Sequence, residues 1–452
     1  MSILYRTTTG SNTEQQRQQS TFSCWVKRGK LGANQNIMDW HMNSGDFHFN
    51  IVFKTDDSFQ LQDRDNGVVR LNFITNRKFR DVNSWYHIMV NLATNQGTQS
   101  NRVKIYINGV QETSFATSSY PSQDTALQIN KVVENCRIGG DSDGGNLFGG
   151  SLSALYWVAG SSGQYAGTIP VSTFGETDTD TGEWRPKNNP SISAYGDNGF
   201  FMKFENSGNI DLDSSSNNYS FTATAGAVTQ TKDSPNNVMA TLNPLDNFYA
   251  NATFSYGNTQ IVSPSGREAS SSSTLAMTKG KFYWETKFLS SNAPFVGIQP
   301  IPSFNNTASP ACLQLHGLGL LTTGKVETTN GSGGSVVLAS YATYTTNDII
   351  GVALDLDASQ KKIYFYKNGS ILGASGVNIT DPASTRDGHY MVAVGNISGS
   401  DTIAVNFGNG YFATTAITTN SGNGYAGAEG ASKFAYQPRS GHSALSTKGL
   451  NQ

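Results

Sequence analysis

The sequence predicts an all-β protein: two β-sandwich domains of jelly-roll type in tandem. Three observations carry that expectation. The chain uses one phrase twice, K-I-Y-I-N-G-V at 104–110 and K-I-Y-F-Y-K-N-G-S-I-L at 362–372. Each couples a β-rich run to an Asn-Gly pair, which tolerates the positive φ angles of a two-residue hairpin. Each also follows a longer strand candidate about twenty residues upstream, W-Y-H-I-M-V-N-L-A (85–93) and D-I-I-G-V-A-L-D-L-D (348–357), as two copies of one architecture would. Second, no long stretch holds a 3.6-residue period. Third, 47 glycines and abundant Ser, Thr and Asn punctuate short apolar runs, the make-up of many strands joined by turns.

The strand candidates run in order. The first half holds Thr21–Val26, Phe47–Phe53, Val68–Ile74, Trp85–Leu92, Val103–Ile107, Ser151–Val158 and Gly199–Phe204. The second holds Lys281–Phe288, Phe295–Ile298, Leu313–Leu321, Ser335–Leu338, Ile349–Leu356, Lys362–Tyr366, Tyr390–Val394 and Thr402–Phe407. Residues 160–195 carry Pro170, Pro186 and Pro190 and read as a surface excursion before a closing strand. Residues 264–274 read as a Ser-rich loop. The stretch D-S-P-N-N-V-M-A-T-L-N-P-L-D-N reads as a connector, because proline removes a ladder donor and restricts its neighbour. The expected organisation is a sandwich at 1–232, the connector at 233–247, a second sandwich at 248–419, and a Gly-rich, mobile segment with a tail at 420–452.

Length and composition narrow the function. A chain of 452 residues fits two sandwiches, each with room for a core. Only 14% of residues are charged and the formal charge is −2, which gives no drive toward nucleic acid or anionic membrane. No apolar run approaches a membrane span, and the start M-S-I-L-Y-R-T lacks a signal-peptide pattern. Three cysteines (Cys24, Cys136, Cys312) at long spacings argue against a disulfide framework or a zinc site.

Chemical motifs are few. Asp141–Asn146 reads D-S-D-G-G-N, and Asp141, Asp143 and Asn146 are candidate ligand-binding residues. Asp141 and Asp143 are a weak Ca²⁺ candidate, since the Glu that closes an EF-hand loop is missing and β-turns favour Asp and Gly in any case. No other metal or cofactor is expected. Asp355 and Asp357 alternate on one strand, but nothing near them completes an acid–base pair. The cluster Glu176, Asp178, Asp180, Glu183 lies in a loop suited to solvated charges. The six histidines show no metal spacing, and neither a G-x-S-x-G elbow nor a P-loop occurs. Trp85 and Trp284 read as core. Trp184, in G-E-W-R-P, is the candidate exposed aromatic, able to stack on a sugar or anchor a neighbouring subunit.

Several motifs resemble known families. F-S-C-W-V-K-R (22–28), the W-Y-H of Trp85–His87, K-I-Y-I-N-G (104–109) and C-R-I-G-G…L-F-G-G-S-L-S-A-L-Y (136–156) resemble a concanavalin A-like domain of the laminin G type. G-K-F-Y-W-E (280–285), F-V-G-I (295–298), I-I-G-V-A-L-D-L-D (349–357), I-Y-F-Y-K-N-G (363–369) and V-N-F-G (405–408) resemble a SPRY domain. The order of the pair, the connector and the ending Y-Q-P-R-S-G…L-S-T-K-G-L are similar to virion proteins of tailed bacteriophages, notably those of marine bacteria and cyanobacteria.

That resemblance implies a non-enzymatic structural or adhesive particle protein: a lectin-like tail fibre, spike or appendage for host attachment. It would bind host cell-surface glycan or other virion proteins, as a homo-oligomer or multicopy array, without nucleic acid or membrane insertion. The virion is its expected location, after synthesis in a bacterial cytoplasm. The first domain starts almost at Met1, with no separate anchor visible, which keeps a head decoration or adaptor role open. A polysaccharide-degrading virion enzyme is the other alternative. The laminarinase-type E-x-D-x-x-E strand that would support it is absent.

Overall fold

A computed structural model describes residues 3–9, 13–41, 46–131, 135–160, 167–224, 228–249, 252–264, 269–300, 316–329, 334–418 and 424–451. The chain divides into two compact units, Met1–Gln230 and Thr231–Gln452, and each is an antiparallel β-sandwich. Cys312 lies outside the described residues. Among the described residues no helix is long and apolar enough to cross a membrane.

In the first unit an eight-stranded sheet packs on a six-stranded one. The six-stranded sheet is built on Gln19–Arg28 paired with Trp85–Ala93, which pairs in turn with Val103–Ile107. Alternation sends Phe22, Cys24, Val26, Ile88, Val90, Ile105 and Ile107 inward. They meet Phe49, Ile51, Phe53, Leu61, Leu71 and Phe73 of the eight-stranded sheet. Trp40 and Trp157, one from each sheet, pack in this layer with ring centroids 5.4 Å apart. The Trp157 indole N–H donates to the Asn130 side chain at 2.7 Å.

The described part of 160–195 does more than run over the surface. It lays Ile169 and Phe174 against Met89, Tyr156 and Val158 on the outer face of the six-stranded sheet, making a second apolar layer.

The second unit repeats the plan. Lys281–Phe288 pairs with Ile349–Asp355, which pairs with Lys362–Lys367. Trp284, Val352, Leu354, Ile363 and Phe365 face Val296, Ile298, Leu320, Val392 and Val394 of a seven-stranded sheet. The two Asn-Gly turns take the expected form: Asn108 and Gly109 have φ of +49° and +81°, Asn368 and Gly369 +49° and +83°.

Three sequence expectations differ from the structure. Ala269–Met277, which overlaps the expected Ser-rich loop, is a strand whose buried serines are hydrogen-bonded: Ser271 Oγ donates to the Asn243 carbonyl, and Ser273 Oγ accepts from Val392 N–H. The end of the expected connector, from Leu242 on, belongs to the strand Leu242–Tyr249, the partner of Ala269–Met277. The described part of 420–452 is packed rather than loose. Ser443–Ala444 adds in parallel beside Phe282 and Tyr283, and Phe434 and Ala444 cover Tyr283, Ala353 and Tyr364.

Candidate functional site

The strand Asn135–Ile138 lies between Leu4–Thr7 and Gln35–His41. Its alternation sends Cys136 and Ile138 into the core and leaves Asn135 and Arg137 outside, directly opposite Thr7 and Tyr5. The chain then enters the Asp141–Asn146 turn. Asp141 organises it: Oδ1 accepts the N–H groups of Asp143 (3.1 Å) and Gly145 (2.7 Å), and Oδ2 accepts Asn146 Nδ2 (2.8 Å). Gly144 sits at φ +74°, in the left-handed region that a side chain disfavours.

Strand and turn together enclose an open cleft of 490 Å³. Tyr5, Asn135, Arg137, Asp141, Ser142 and Asp143 supply its polar lining, and Ile3 and Leu147 its apolar part. Arg137 Nη1 is buried with no hydrogen-bond partner among the described residues. A buried donor left so is costly.

The structure therefore brings Asp141, Asp143 and Asn146 together, with unequal roles. Asp141 and Asn146 are spent on the turn. Asp143 remains at the cleft, close to Ser142 Oγ (3.3 Å). A calcium ion does not fit this donor set. It wants six to eight oxygens, and no group of three potential metal-ligating side chains occurs among the described residues.

Trp184 stands elsewhere and is not freely presented. It lies on a two-stranded hairpin (Gly175–Thr177 with Trp184–Pro186) folded onto the outer face of the six-stranded sheet. Its indole N–H donates to His87 Nδ1 at 3.1 Å, and its ring stacks on His87 at 5.9 Å. Trp25 stacks on His87 from the opposite strand at 5.0 Å. A Cβ on Gly109 or Gly175 would meet the Trp184 ring at 2.6 or 2.4 Å, so both glycines are required by its seat.

This stack decides a chemical question. His87 Nε2 is 2.9 Å from Ser23 Oγ, the spacing of a base and its nucleophile. Because Nδ1 accepts from Trp184, the neutral ring carries its proton on Nε2 and donates it to Ser23. That is the reverse of the tautomer that would activate a hydroxyl. Both side chains are buried, and burial pushes the His87 pKa down to about 3.

The carboxylates are likewise engaged. Arg185 pairs with Glu176 at 3.2 Å and with Asp178. Asp355 Oδ1 caps the N–H groups of Asp357 and Ala358 at 3.0 Å. Asp357 lies past the strand end, where it accepts Gly280 N–H at 2.8 Å, so the two do not share a strand face as expected. Glu285 is fully buried and accepts from Asn406 Nδ2, Ala435 N–H, Tyr436 N–H and Tyr283 O–H.

Sequence reasoning missed Tyr5, Asn135 and Arg137. The alternation in L-Y-R-T and N-C-R-I hints at an outward face, but the pairing of segments some 130 residues apart leaves no local signal.

Comparison with known proteins bears on the first unit. Residues 5–159 match the model of the concanavalin A-like lectin/glucanases superfamily. Among solved structures, the SPRY domain of human HERC1 is similar at 16% identity over 36% of this chain and 96% of that domain, with a TM-score of 0.27. No curated protein matches.

Proposed function

We propose that this chain is a non-enzymatic structural and adhesion component of a bacteriophage virion, a tail fibre, spike or appendage that attaches to host surface glycan. The observation that carries the binding part is the cleft of Tyr5, Asn135, Arg137 and Asp143. It joins an aromatic face, a guanidinium, and amide and carboxylate groups on a rigid sandwich, a set suited to a hydroxyl-rich ligand. The match of residues 5–159 to a lectin/glucanases superfamily supports the same reading. The phage assignment rests on the order of motifs and the ending of the chain.

Binding at one small cleft is weak, so many copies on one particle would supply avidity. Asp141, Glu176, Asp178, Asp355, Asp357 and Glu285 are committed to caps, ion pairs and a buried hydrogen-bond node, and among the described residues Asp143 stands at the cleft without a second carboxylate free to act with it, which supports binding without bond cleavage.

Immunogold labelling of intact particles tests the placement. Signal on tail appendages is expected, whereas signal on heads would replace attachment with capsid decoration or an adaptor role. Purified protein should bind host cells, and Tyr5→Ala with Arg137→Ala should lower that binding at least tenfold. Sustained reducing-sugar release from host polysaccharide would turn the assignment to an enzyme.

A further inference from the structure

One edge strand of the second unit lacks the residues that keep sheet edges apart. Ser335–Ser340 (S-V-V-L-A-S) ends the seven-stranded sheet and, among the described residues, pairs on one side only, with Lys325–Thr329. It contains neither proline nor charge, the usual guards of an edge. Val336, Val337 and Leu338 are 40, 47 and 43% exposed, and no other three consecutive large apolar side chains are exposed among the described residues. The ladder to Lys325–Thr329 shifts register between Val337 and Ala339, so Leu338 is an extra residue at a bulge in the middle of the run.

Other edges of the chain are built differently. Leu242–Tyr249, at the far end of the same sheet, carries Pro244 and the buried Asp246. Phe115–Ser119, an edge of the first unit's eight-stranded sheet, exposes Ala116, Ser118 and Ser119, none of them large and apolar.

The apolar run has a neighbour from the facing sheet. Ser370–Ile371 ends the nine-stranded sheet of the same unit. Tyr341, the residue after the run, lays its ring on Gly373, where an added Cβ would meet it at 2.5 Å, and Lys367 Nζ donates to the Thr343 carbonyl at 2.8 Å. These contacts bring the two sheet ends to one flank of the sandwich, where Ile371 adds a side chain 40% exposed.

We infer that this flank is the contact surface for a second copy of the chain, with Ser335–Ser340 meeting its own counterpart antiparallel about a two-fold axis at Val337–Leu338. A second copy fits in sequence, charge and size. Reversed upon itself, the run sets Ser335 against Ser340, Val336 against Ala339 and Val337 against Leu338, so apolar meets apolar at every central position. The edge also offers backbone N–H and C=O groups on either side of the bulge. Self-pairing opposes like charges wherever a strand is charged, and this strand has none. Glu327 lies opposite Val337 in the neighbouring strand, so the two copies of Glu327 stand three strand spacings apart, about 14 Å, beyond a Debye length of about 8 Å. So short a strand with one added side chain makes a contact below the roughly 1,200 Å² of stable complexes. The free chain therefore associates weakly, and the contact becomes effective where many copies are held side by side. The inference concerns the second unit and is independent of the glycan reading of the first.

Sedimentation equilibrium of the full chain, from low to high micromolar concentration, tests it. A monomer–dimer equilibrium is expected. Val337→Lys with Leu338→Lys, which crowds four like charges around the axis, should weaken dimerisation at least tenfold with an unchanged thermal midpoint. Val110→Lys, on the first unit's Asn-Gly hairpin and 70% exposed, should leave it as in the wild type. In a Cys312→Ser background, Leu338→Cys should form a disulfide-linked dimer on mild oxidation at least tenfold faster than Val110→Cys. A monomer at every concentration, a trimer or open-ended series, a dimer that the two lysines leave unchanged, or a cross-link no faster at Leu338→Cys than at Val110→Cys each overturns the proposal.

Discussion

Asn368 holds Ile349 by both of its backbone polar groups. Its side-chain oxygen accepts the Ile349 N–H at 2.9 Å, and its own N–H donates to the Ile349 carbonyl at 2.8 Å. In the first unit Asn108 does the same to His87, at 2.7 and 2.9 Å. Each asparagine is the first residue of the Asn-Gly turn that the sequence repeats. The following glycine is then covered by an aromatic ring from later in the chain, Trp184 over Gly109 and Tyr436 over Gly369. The repeated phrase thus encodes more than a turn: it encodes a clasp on the adjacent strand and a flat seat for a covering segment.

Asn368→Ala should therefore cost about 1–2 kcal/mol, from a lost hydrogen bond and an unfavourable positive φ. Asn368→Gly, which keeps the turn and loses the clasp, should cost about half as much. Urea denaturation followed through the second unit's transition measures both. Equal losses would show that the turn conformation contributes nothing beyond the clasp.

Burial of His87 makes the first unit acid-sensitive. Its folded pKa, near 3, lies below the ordinary value of 6.5, so the native state favours the neutral ring. Stability is then full above pH 6.5 and falls as pH drops from there toward 3, by up to about 4–5 kcal/mol. His87→Gln should lower stability at pH 7 and flatten this slope. A wild-type unfolding midpoint that stays constant between pH 6.5 and 4 would contradict it.

Cys24 and Cys136 are buried, and desolvation pushes both thiols well above their ordinary range. Neither should react with a maleimide in the native protein at pH 8, and both should label on unfolding. Mass spectrometry of tryptic peptides reads this directly.

How much of this was legible in the sequence depends on the range of the interaction. The long strands Gln19–Arg28, Trp85–Ala93, Lys281–Phe288 and Ile349–Asp355 carry their own alternation, and the Asn-Gly turns their own φ preference, so all were readable. Ala269–Met277 was not, because A-S-S-S-S-T-L-A-M has turn-like composition and becomes a strand only through partners elsewhere, such as Asn243 and Val392. Trp40 and Trp157 gave no local hint that they would meet between the sheets. The cleft was half legible: Asp141–Asn146 announced a loop, while Tyr5 and Arg137 reached it through pairing that only the fold supplies. Trp184 was legible as a special aromatic and misread in its exposure, since its partner His87 lies 97 residues away.

Glu285 makes the packing of the C-terminal segment pH-dependent. Four donors converge on its carboxylate, and two of them are the N–H groups of Ala435 and Tyr436. Those donors favour ionisation, yet among the described residues no cation pairs with it, and burial outweighs them, raising the pKa to about 7. A raised carboxylate pKa contributes stability that is full below 4.5 and is lost as pH rises through 7, at most about 3 kcal/mol. His442, buried in the same unit with its pKa lowered, works in the opposite direction below pH 6.5. The wild-type profile alone would mix the two, so the difference between wild type and Glu285→Gln isolates the carboxylate. Gln cannot ionise, and it turns an amide N–H₂ toward donors, so it should be less stable than wild type at pH 5 by about 2 kcal/mol. That gap should shrink or reverse by pH 8, with proteolysis after Lys433 or Arg439 tracking release of the segment. A gap that stays constant from pH 5 to 8 would mean that the four donors hold Glu285 ionised throughout.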